Sequence, residues 1–412
     1  MPSESGFPMN GKGDGLLRIA LVGTRGVPAQ YGGFETCVEE IGWRLAERGH
    51  DIVVYCRSQD DPPSRADSYR GMRLVHRPAM HRRSLETLSH TGLSVAHLLL
   101  HRTNAAIVFN AANSPFLPLL RAARIPVATH VDGLEWQRAK WGGAGKRYYR
   151  FAESWAVRWS DALIADAQGI QDYYRTEFDA DTQLITYGAP RVESADERLH
   201  ELGLTTGGYH LVVARFEPEN HVDMIVDGYR RCEATRPLVV VGSAPYANEH
   251  TARIHSLGGD HVRFLGAVWD QELLDQLYSG AYTYLHGHSV GGTNPSLLRA
   301  IGAGAATIAY DASFNREVLQ GSGVYFSSAE DVARAIESAE QNQDAVRECG
   351  ALARERAASY DWNDVADLYE RLCLSLAAGT LVRPRRHLFA QRRPAPQARD
   401  RRRVSSEGVE GT

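Results

Sequence analysis

Gly291-Gly292-Thr293-Asn294-Pro295 stands between a short apolar run and the helical pattern Leu297, Leu298, Ile301, so it reads as strand, glycine loop, helix. Thr293 or Asn294 can cap the first turn, and Pro295 suits the first helical position, where it has no N–H to lose. A helix start of this kind offers converging N–H donors and a partial positive charge, which suits a phosphate. Parallel α/β chains contain several such turns, so on its own this one fits an anion site or a plain connection equally. Gly302 and Gly304 are expected to end the helix. Val213-Ala214-Arg215 closes another apolar run ahead of Pro218-Glu219-Asn220. An arginine there can make paired bonds to a diphosphate, or can pair with Glu217 or Glu219 at the surface. A second glycine pair, Gly32-Gly33, lies in the loop after the first apolar run.

The elements that must position these residues alternate regularly. Branched runs at 16–23, 51–56, 72–75, 106–110, 127–131 and 162–165 are separated by helical patterns at 34–48, 85–101 and 148–159. A polar, acidic stretch at 191–208 interrupts them. The alternation restarts at Tyr209 and runs through 237–242, 262–265 and 282–286, with helices at 222–231, 249–257 and 271–280. The expected chain is α/β: a flexible leader (1–15), a Rossmann-like domain (16–190), a linker (191–208), a second Rossmann-like domain (209–358), a closing helix (359–379) and an Arg-rich disordered tail (380–412). Two doubly wound domains place a ligand cleft between them, beyond the carboxyl ends of their strands.

Composition narrows the function. Lysines and arginines number 46 against 50 acids, and arginines crowd residues 383–403, so the folded body is more acidic than the net charge of −4 implies. That argues against a nucleic-acid binder. Five scattered cysteines with no metal-ligand spacing point to a reducing compartment and no structural zinc. The N-terminus lacks the pattern of a secretory signal, and no apolar run approaches the roughly 20 residues that span a bilayer. A cytoplasmic protein touching a membrane from one side at most is expected. A dinucleotide oxidoreductase has little support, because the loop after Gly23 is no G-x-G-x-x-G fingerprint and no acid ends the second strand.

The two alternating halves, Gly32-Gly33, Ala214-Arg215 and the Gly291–Gly304 segment together resemble the retaining GT-B glycosyltransferases of family 4. More narrowly, the chain resembles the rhamnosyltransferase-like branch. The blocks that carry this are Gly23-Thr24-Arg25-Gly26-Val27-Pro28, Tyr31-Gly32-Gly33-Phe34-Glu35-Thr36, His130-Val131-Asp132-Gly133-Leu134-Glu135-Trp136 with Lys140-Trp141, the run from His286 to Ser296, and Phe314-Asn315-Arg316-Glu317. The resemblance covers about Leu16 to Leu376. It implies a nucleoside-diphosphate (NDP) sugar held mainly by the C-terminal domain, an acceptor on the N-terminal domain, and no metal or other cofactor. By resemblance the donor is dTDP-rhamnose and the acceptor a lipid-diphosphate-linked sugar or another saccharide, at the inner face of the plasma membrane, in cell-surface polysaccharide assembly.

Residue by residue, the resemblance assigns His130 and Asp132 to positioning the donor sugar. Gly32, Gly33, Arg215, Asn220, Gly291, Gly292, Thr293, Asn294, Arg299 and Glu317 go to donor and diphosphate binding, with Arg215 also stabilising the leaving group. Glu35, Glu135, Trp136, Arg138 and Lys140 go to the acceptor side. Glu35 can equally be a first-turn glutamate favoured by the helix dipole.

Three positions depart from the wider family pattern. Asn220 stands where a lysine is common, and Gly291 and Arg299 stand where two glutamates are common. Asn220 and Gly291 fit the branch; Arg299 does not. An arginine has only donors and cannot accept from ribose hydroxyls. Either Arg299 donates to the diphosphate or a ribose oxygen, replacing the charge absent at Asn220, or it has weakened donor binding. The second option keeps open a GT-B scaffold that serves as an assembly subunit without efficient transfer. Finally, Arg138, Lys140, Trp141, Lys146, Arg147, Tyr148, Tyr149 and Arg150 form a basic and aromatic stretch. It suits anionic headgroups or an acceptor pyrophosphate, or it is a solvated helix face with its aromatics in the core.

Overall fold

The computed structural model describes residues 15–29, 32–58, 66–80, 86–131, 134–138, 141–243 and 249–384. Residues 1–14 of the leader, nearly all of the Arg-rich tail, Asp132 and Lys140 lie outside the described residues.

Two parallel sheets build the molecule. The first runs from β1 (Arg18–Val22) through β2 (Asp51–Arg57), β3 (Ser68–Tyr69), β4 (Met72–Arg77), β5 (Ala105–Phe109), β6 (Val127–His130) and β7 (Ala162–Ala165) to β8 (Gln183–Leu184). Their spatial order is β3-β4-β2-β1-β5-β6-β7-β8, parallel except for the short edge strand β3. The second sheet holds β9 (His210–Val213), β10 (Leu238–Val241), β11 (Val262–Gly266), β12 (Thr283–His286), β13 (Thr307–Tyr310) and β14 (Gly323–Phe326), ordered β11-β10-β9-β12-β13-β14 and wholly parallel. Central strands such as β1 and β5 are buried along their length, which explains their continuous branched sequences. Chain order reverses between β1 and β5 and again between β9 and β12. Each reversal splays the two following loops apart and opens a crevice at the strand ends.

Helices cover both faces. In the first domain these are α1 (Gly33–Glu47), α2 (Glu86–Leu100), α3 (Leu117–Ala122), α4 (Gly143–Trp159) and α5 (Gln168–Phe178). The second carries α6 (Val222–Arg230), α7 (Glu249–Leu257), α8 (Gln271–Ser279), α9 (Pro295–Ala303), α10 (Ser313–Leu319), α11 (Ala329–Gln341) and α12 (Gln343–Ala357). The polar 191–208 segment docks on the second domain: Leu199 is buried, and Arg198 pairs with Asp270 at 2.6 Å. The closing helix α13 (Trp362–Ala378) returns to the first domain and packs on α1. Its buried face is Trp362, Val365, Tyr369, Leu372, Cys373 and Leu376, a helical stripe in which each large apolar side chain contributes about 1.5–3 kcal/mol. Arg48 adds ion pairs to Glu370 and Asp367.

One helix end differs from expectation. Gly304 terminates α9 in the left-handed conformation, but Gly302 lies inside the helix. A Cβ at Gly302 would fall 2.0 Å from the Pro190 carbonyl oxygen, so this glycine lets the interdomain chain lie against α9.

Candidate active site

Adjacent strands at the second reversal bring the strand-end residues together. β9 pairs with β12 in the register Leu211↔Tyr284 and Val212↔Leu285, so the chain leaves the sheet side by side toward Arg215 and His288. Asn220 ties them: its Nδ2 donates to the Arg215 carbonyl at 2.8 Å, and its Oδ1 lies 2.8 Å from Nδ1 of His288. That geometry puts the proton of His288 on Nδ1 and leaves Nε2 as an acceptor. Burial holds the ring neutral, helped by the positive charges of Arg138 and Arg215, and its pKa falls well below the ordinary value. Asn315 braces the same turn by donating to the carbonyls of His288 and Tyr310, both at 2.9 Å. Two guanidinium groups thus act on this histidine, Arg138 being itself paired with Glu135 and Glu219, and among the described residues no carboxylate is hydrogen-bonded to the ring.

The glycine loop completes this half. Gly291 has φ 138°, a conformation that side chains rarely adopt. Asn294 is the cap, accepting from Ser296 N–H at 2.9 Å. Thr293 instead crosses the cleft, donating from Oγ1 to the Asp166 carbonyl at 2.6 Å. Gly292 lies against the Asp166 carboxylate so closely that a Cβ would fall 1.9 Å from Oδ1. Gly33 approaches from the other domain, where a Cβ would lie 3.1 Å from Pro295 Cγ. The two glycine loops therefore face each other across the seam. Beside them, a cavity of about 320 Å³ is lined from both domains by Gln137, Ile170, Ser289, Gly291, Tyr310 and Phe314.

On the N-terminal side, His130 ends β6 inside an aromatic cage. Its ring stacks with Phe109 at 5.6 Å and Tyr187 at 5.8 Å, and meets the edge of Phe34 at 5.2 Å. Neither nitrogen has a hydrogen-bond partner among the described residues, and burial pushes its pKa down to about 3. A neutral histidine kept unsatisfied in a core costs stability, commonly about 1–3 kcal/mol per orphaned group. His130→Leu should therefore hold or raise the melting temperature, and it should cut kcat/KM more than threefold if the ring has the sugar-positioning role that the resemblance implies. Thermal unfolding and steady-state rates check this. A variant with wild-type kcat/KM would make His130 a packing residue.

Other expected site residues take varied places. Glu135 pairs with Arg138 at 2.7 Å, and Arg138 reaches across the cleft toward Glu219 at 3.7 Å. Trp136 lies under the Arg150 guanidinium at 5.2 Å. Glu35 accepts from Arg25 N–H at 3.1 Å and leans on Gly32, so it latches the first glycine loop. Both oxygens of Glu317 accept from Gln168 N–H at 3.0 Å, which caps α5 from the opposite domain. Arg299 is turned onto α8, 2.5 Å from Asp275 and 2.8 Å from the Gln271 side-chain oxygen. Arg138, Arg215, Asn220 and the two glycine loops thus gather at the seam, whereas Arg299 and Trp136 do not join them.

His288 and Asp166 were not singled out from the sequence. His288 lies just past β12 and Asp166 directly follows β7, so the rule that ligands meet strand ends could have found both. Asp166 is buried, its Oδ1 has no partner among the described residues, and burial together with the Glu317 charge raises its pKa to about 7. Among the described residues, no group of three or more His, Cys, Asp or Glu is placed to hold a metal ion.

Comparison with known proteins agrees with this architecture. The model of Glycosyltransferase Family 4 matches residues 31–187, and that of Glycosyl transferases group 1 matches residues 199–356. Glycogen synthase of Mycobacterium tuberculosis is 25% identical, over 88% of this chain and 96% of its own length. Sucrose-phosphate synthase of Thermosynechococcus elongatus superposes with a TM-score of 0.77 at 19% identity, covering 88% of this chain and 99% of that one. HepE of Anabaena, solved with UDP, gives 0.69 at 16% identity, covering 87% and 100%. The chain is a GT-B glycosyltransferase, built of a Glycosyltransferase Family 4 domain followed by a glycosyl transferases group 1 domain.

Proposed function

We propose that this glycosyltransferase moves a sugar, with retention, from an NDP-sugar to a lipid-diphosphate-linked acceptor at the cytoplasmic face of a membrane, without a divalent metal, in cell-surface polysaccharide assembly. The observation that carries the reading is the convergence of the Arg215 and Arg138 charges on His288, beside which Gly291 lies at the turn into α9. Cleaving the anomeric C–O bond leaves negative charge on the departing diphosphate, and fixed donors aimed at it lower the barrier. The acceptor oxygen bonds to the anomeric carbon from the face the diphosphate leaves, and its proton passes to a diphosphate oxygen. His130 and Asp132 position the sugar and form no covalent bond to it. HepE, a structural neighbour, has been solved with UDP and with UDP-glucose, which supports an NDP-sugar donor. The rhamnosyltransferase-like blocks around His130 and His286 favour dTDP-rhamnose.

The second reading, a scaffold without efficient transfer, draws on Arg299. Its guanidinium is taken up by Asp275 and Gln271, so it leaves open what accepts from the ribose hydroxyls. One experiment separates the two: nucleoside-diphosphate release from dTDP-, UDP- and GDP-sugars in EDTA, with and without a polyprenyl-diphosphate-linked sugar. Release from one donor that needs the acceptor, with a product longer by one sugar, is expected. Strict dependence on added magnesium or manganese would overturn the metal-independent mechanism. Silence across the panel, with no nucleotide raising the melting temperature, would favour the scaffold.

A further inference from the structure

The basic and aromatic stretch at 138–150 is only partly exposed. Arg138 is engaged in the cleft, Arg150 reaches Glu177 at 3.0 Å, and the Tyr148 hydroxyl donates to the Ala112 carbonyl at 2.6 Å. Lys146 and Arg147 remain exposed, and the outward face they begin continues along α4. Ala152, Glu153, Ala156 and Val157 form the buried side of that helix. On the opposite side stand Arg147, Phe151, Ser154 and Arg158, one stripe at helical spacing with Trp155 at its flank.

Two properties of this face are unusual for a solvated helix. Phe151 is 45% exposed, and its ring is 4.9 Å from that of Trp155, which is itself 6.2 Å from Trp159. Neither Phe151 nor Trp155 belongs to any of the molecule's four hydrophobic cores. Leu119 on the neighbouring α3 is 49% exposed. The charge is also one-sided. Within 117–124 and 143–159 the sole carboxylate is Glu153, buried and accepting from the Tyr173 hydroxyl at 2.8 Å. Arg121, Arg124, Lys146, Arg147 and Arg158 therefore flank the exposed Phe151 and the half-buried Trp155, and these two helices place no exposed acid among them.

We propose that the α3–α4 face is a docking surface for an anionic lipid leaflet, with Phe151 and Trp155 entering the headgroup region and Arg147 and Arg158 meeting lipid phosphates. Amphipathic aromatic rings settle at that depth, and each cation near an anionic surface adds attraction that salt weakens. A second copy of the chain fits less well. A two-fold contact through this face would set arginines against arginines. The surface also has a use in the reaction, a point that rests on the lipid-linked acceptor proposed above. The start of α4 adjoins the turn at Glu135–Gln137, so a leaflet on α4 would present a lipid-linked diphosphate beside the cleft.

The test uses the full chain and flotation with phosphatidylcholine vesicles, with or without phosphatidylglycerol, at low and high salt. Two variants probe the face: Phe151→Ser with Trp155→Ser, and Arg147→Glu with Arg158→Glu. The wild type is expected to float with anionic vesicles and to release at high salt. Each variant should lose about tenfold in partitioning, keep its turnover of a water-soluble acceptor, and slow on an acceptor embedded in vesicles. Vesicle binding lost in both variants, but with no transfer to any lipid-linked acceptor, supports the surface and removes the acceptor reading alone. Equal binding to neutral vesicles, or variants that float like the wild type and so place the attraction in the Arg-rich tail, would overturn the proposal. So would a wild-type dimer that the Phe151→Ser, Trp155→Ser variant disperses.

Discussion

Arg215→Ala should lower kcat/KM by about a thousandfold, roughly 4 kcal/mol of transition-state stabilisation, while leaving the fold intact. The turn at this residue is held by backbone groups that alanine keeps. Asn220 holds the turn through the Arg215 carbonyl, which alanine keeps, and through His288. The loss should fall mainly on kcat, because charge on the diphosphate grows as the sugar departs and the guanidinium is worth more at that moment than in the bound substrate. Arg215→Lys should recover only part of the rate, since a point charge cannot give two parallel bonds to neighbouring oxygens. Steady-state kinetics with the donor that the release assay selects, alongside a thermal melt, provide the measurement. A loss under tenfold would mean that the diphosphate is neutralised elsewhere, and Arg138, which reaches into the same space from the other domain, would be the next residue to change.

Local pattern carried much of this architecture. The buried runs of β1, β5, β9 and β12 announce a parallel sheet because both of their faces are covered, and the cap of α9 is written in Asn294-Pro295. Features that arise between distant elements were not legible. The cage around His130 draws Phe34 from α1, Phe109 from β5 and Tyr187 from beyond β8. Arg299 finds Asp275 on a helix that precedes it, and nothing in the spacing of the two residues announces that pair. Gly302 looked like a helix stop because the sequence does not show the Pro190 carbonyl that passes beside it. The short helix α5 was overlooked for another reason: only Ile170 and Tyr174 form its buried face, too few to set a period. The first glycine loop shows the same division. Its glycines are plain in the sequence, but the choice between a substrate contact and a helix-start glutamate at Glu35 turns on the Arg25 N–H, ten residues earlier.

Gly292 offers the sharpest test of how the two halves meet. Gly292→Ala should cost about a hundredfold in kcat/KM, the scale of an ångström's misplacement at a reacting centre. The added methyl would sit 1.9 Å from Asp166 Oδ1 and 2.6 Å from its Cγ, so rotating the carboxylate away cannot by itself relieve the contact. Asp166 cannot easily withdraw either, since its carbonyl is bonded to Thr293 in the same loop. Either the domains part or the glycine loop shifts, and both displace the loop from the diphosphate position proposed above. This cause can be told apart from a general defect of the loop. Asp166→Ala removes the clashing group and vacates space for the methyl. In that background Gly292→Ala should cost only a few-fold, a coupling of roughly 1.5–3 kcal/mol in a double-mutant cycle. Asp166→Ala alone should gain stability progressively as the pH rises from about 4 to 7 and keep that gain above it, because the unfolded carboxyl ionises near pH 4 whereas burial keeps the folded one protonated up to about 7. An equal loss from Gly292→Ala in both backgrounds would place the requirement in the loop's own backbone, and contact with Asp166 would then have no part in setting the closed geometry.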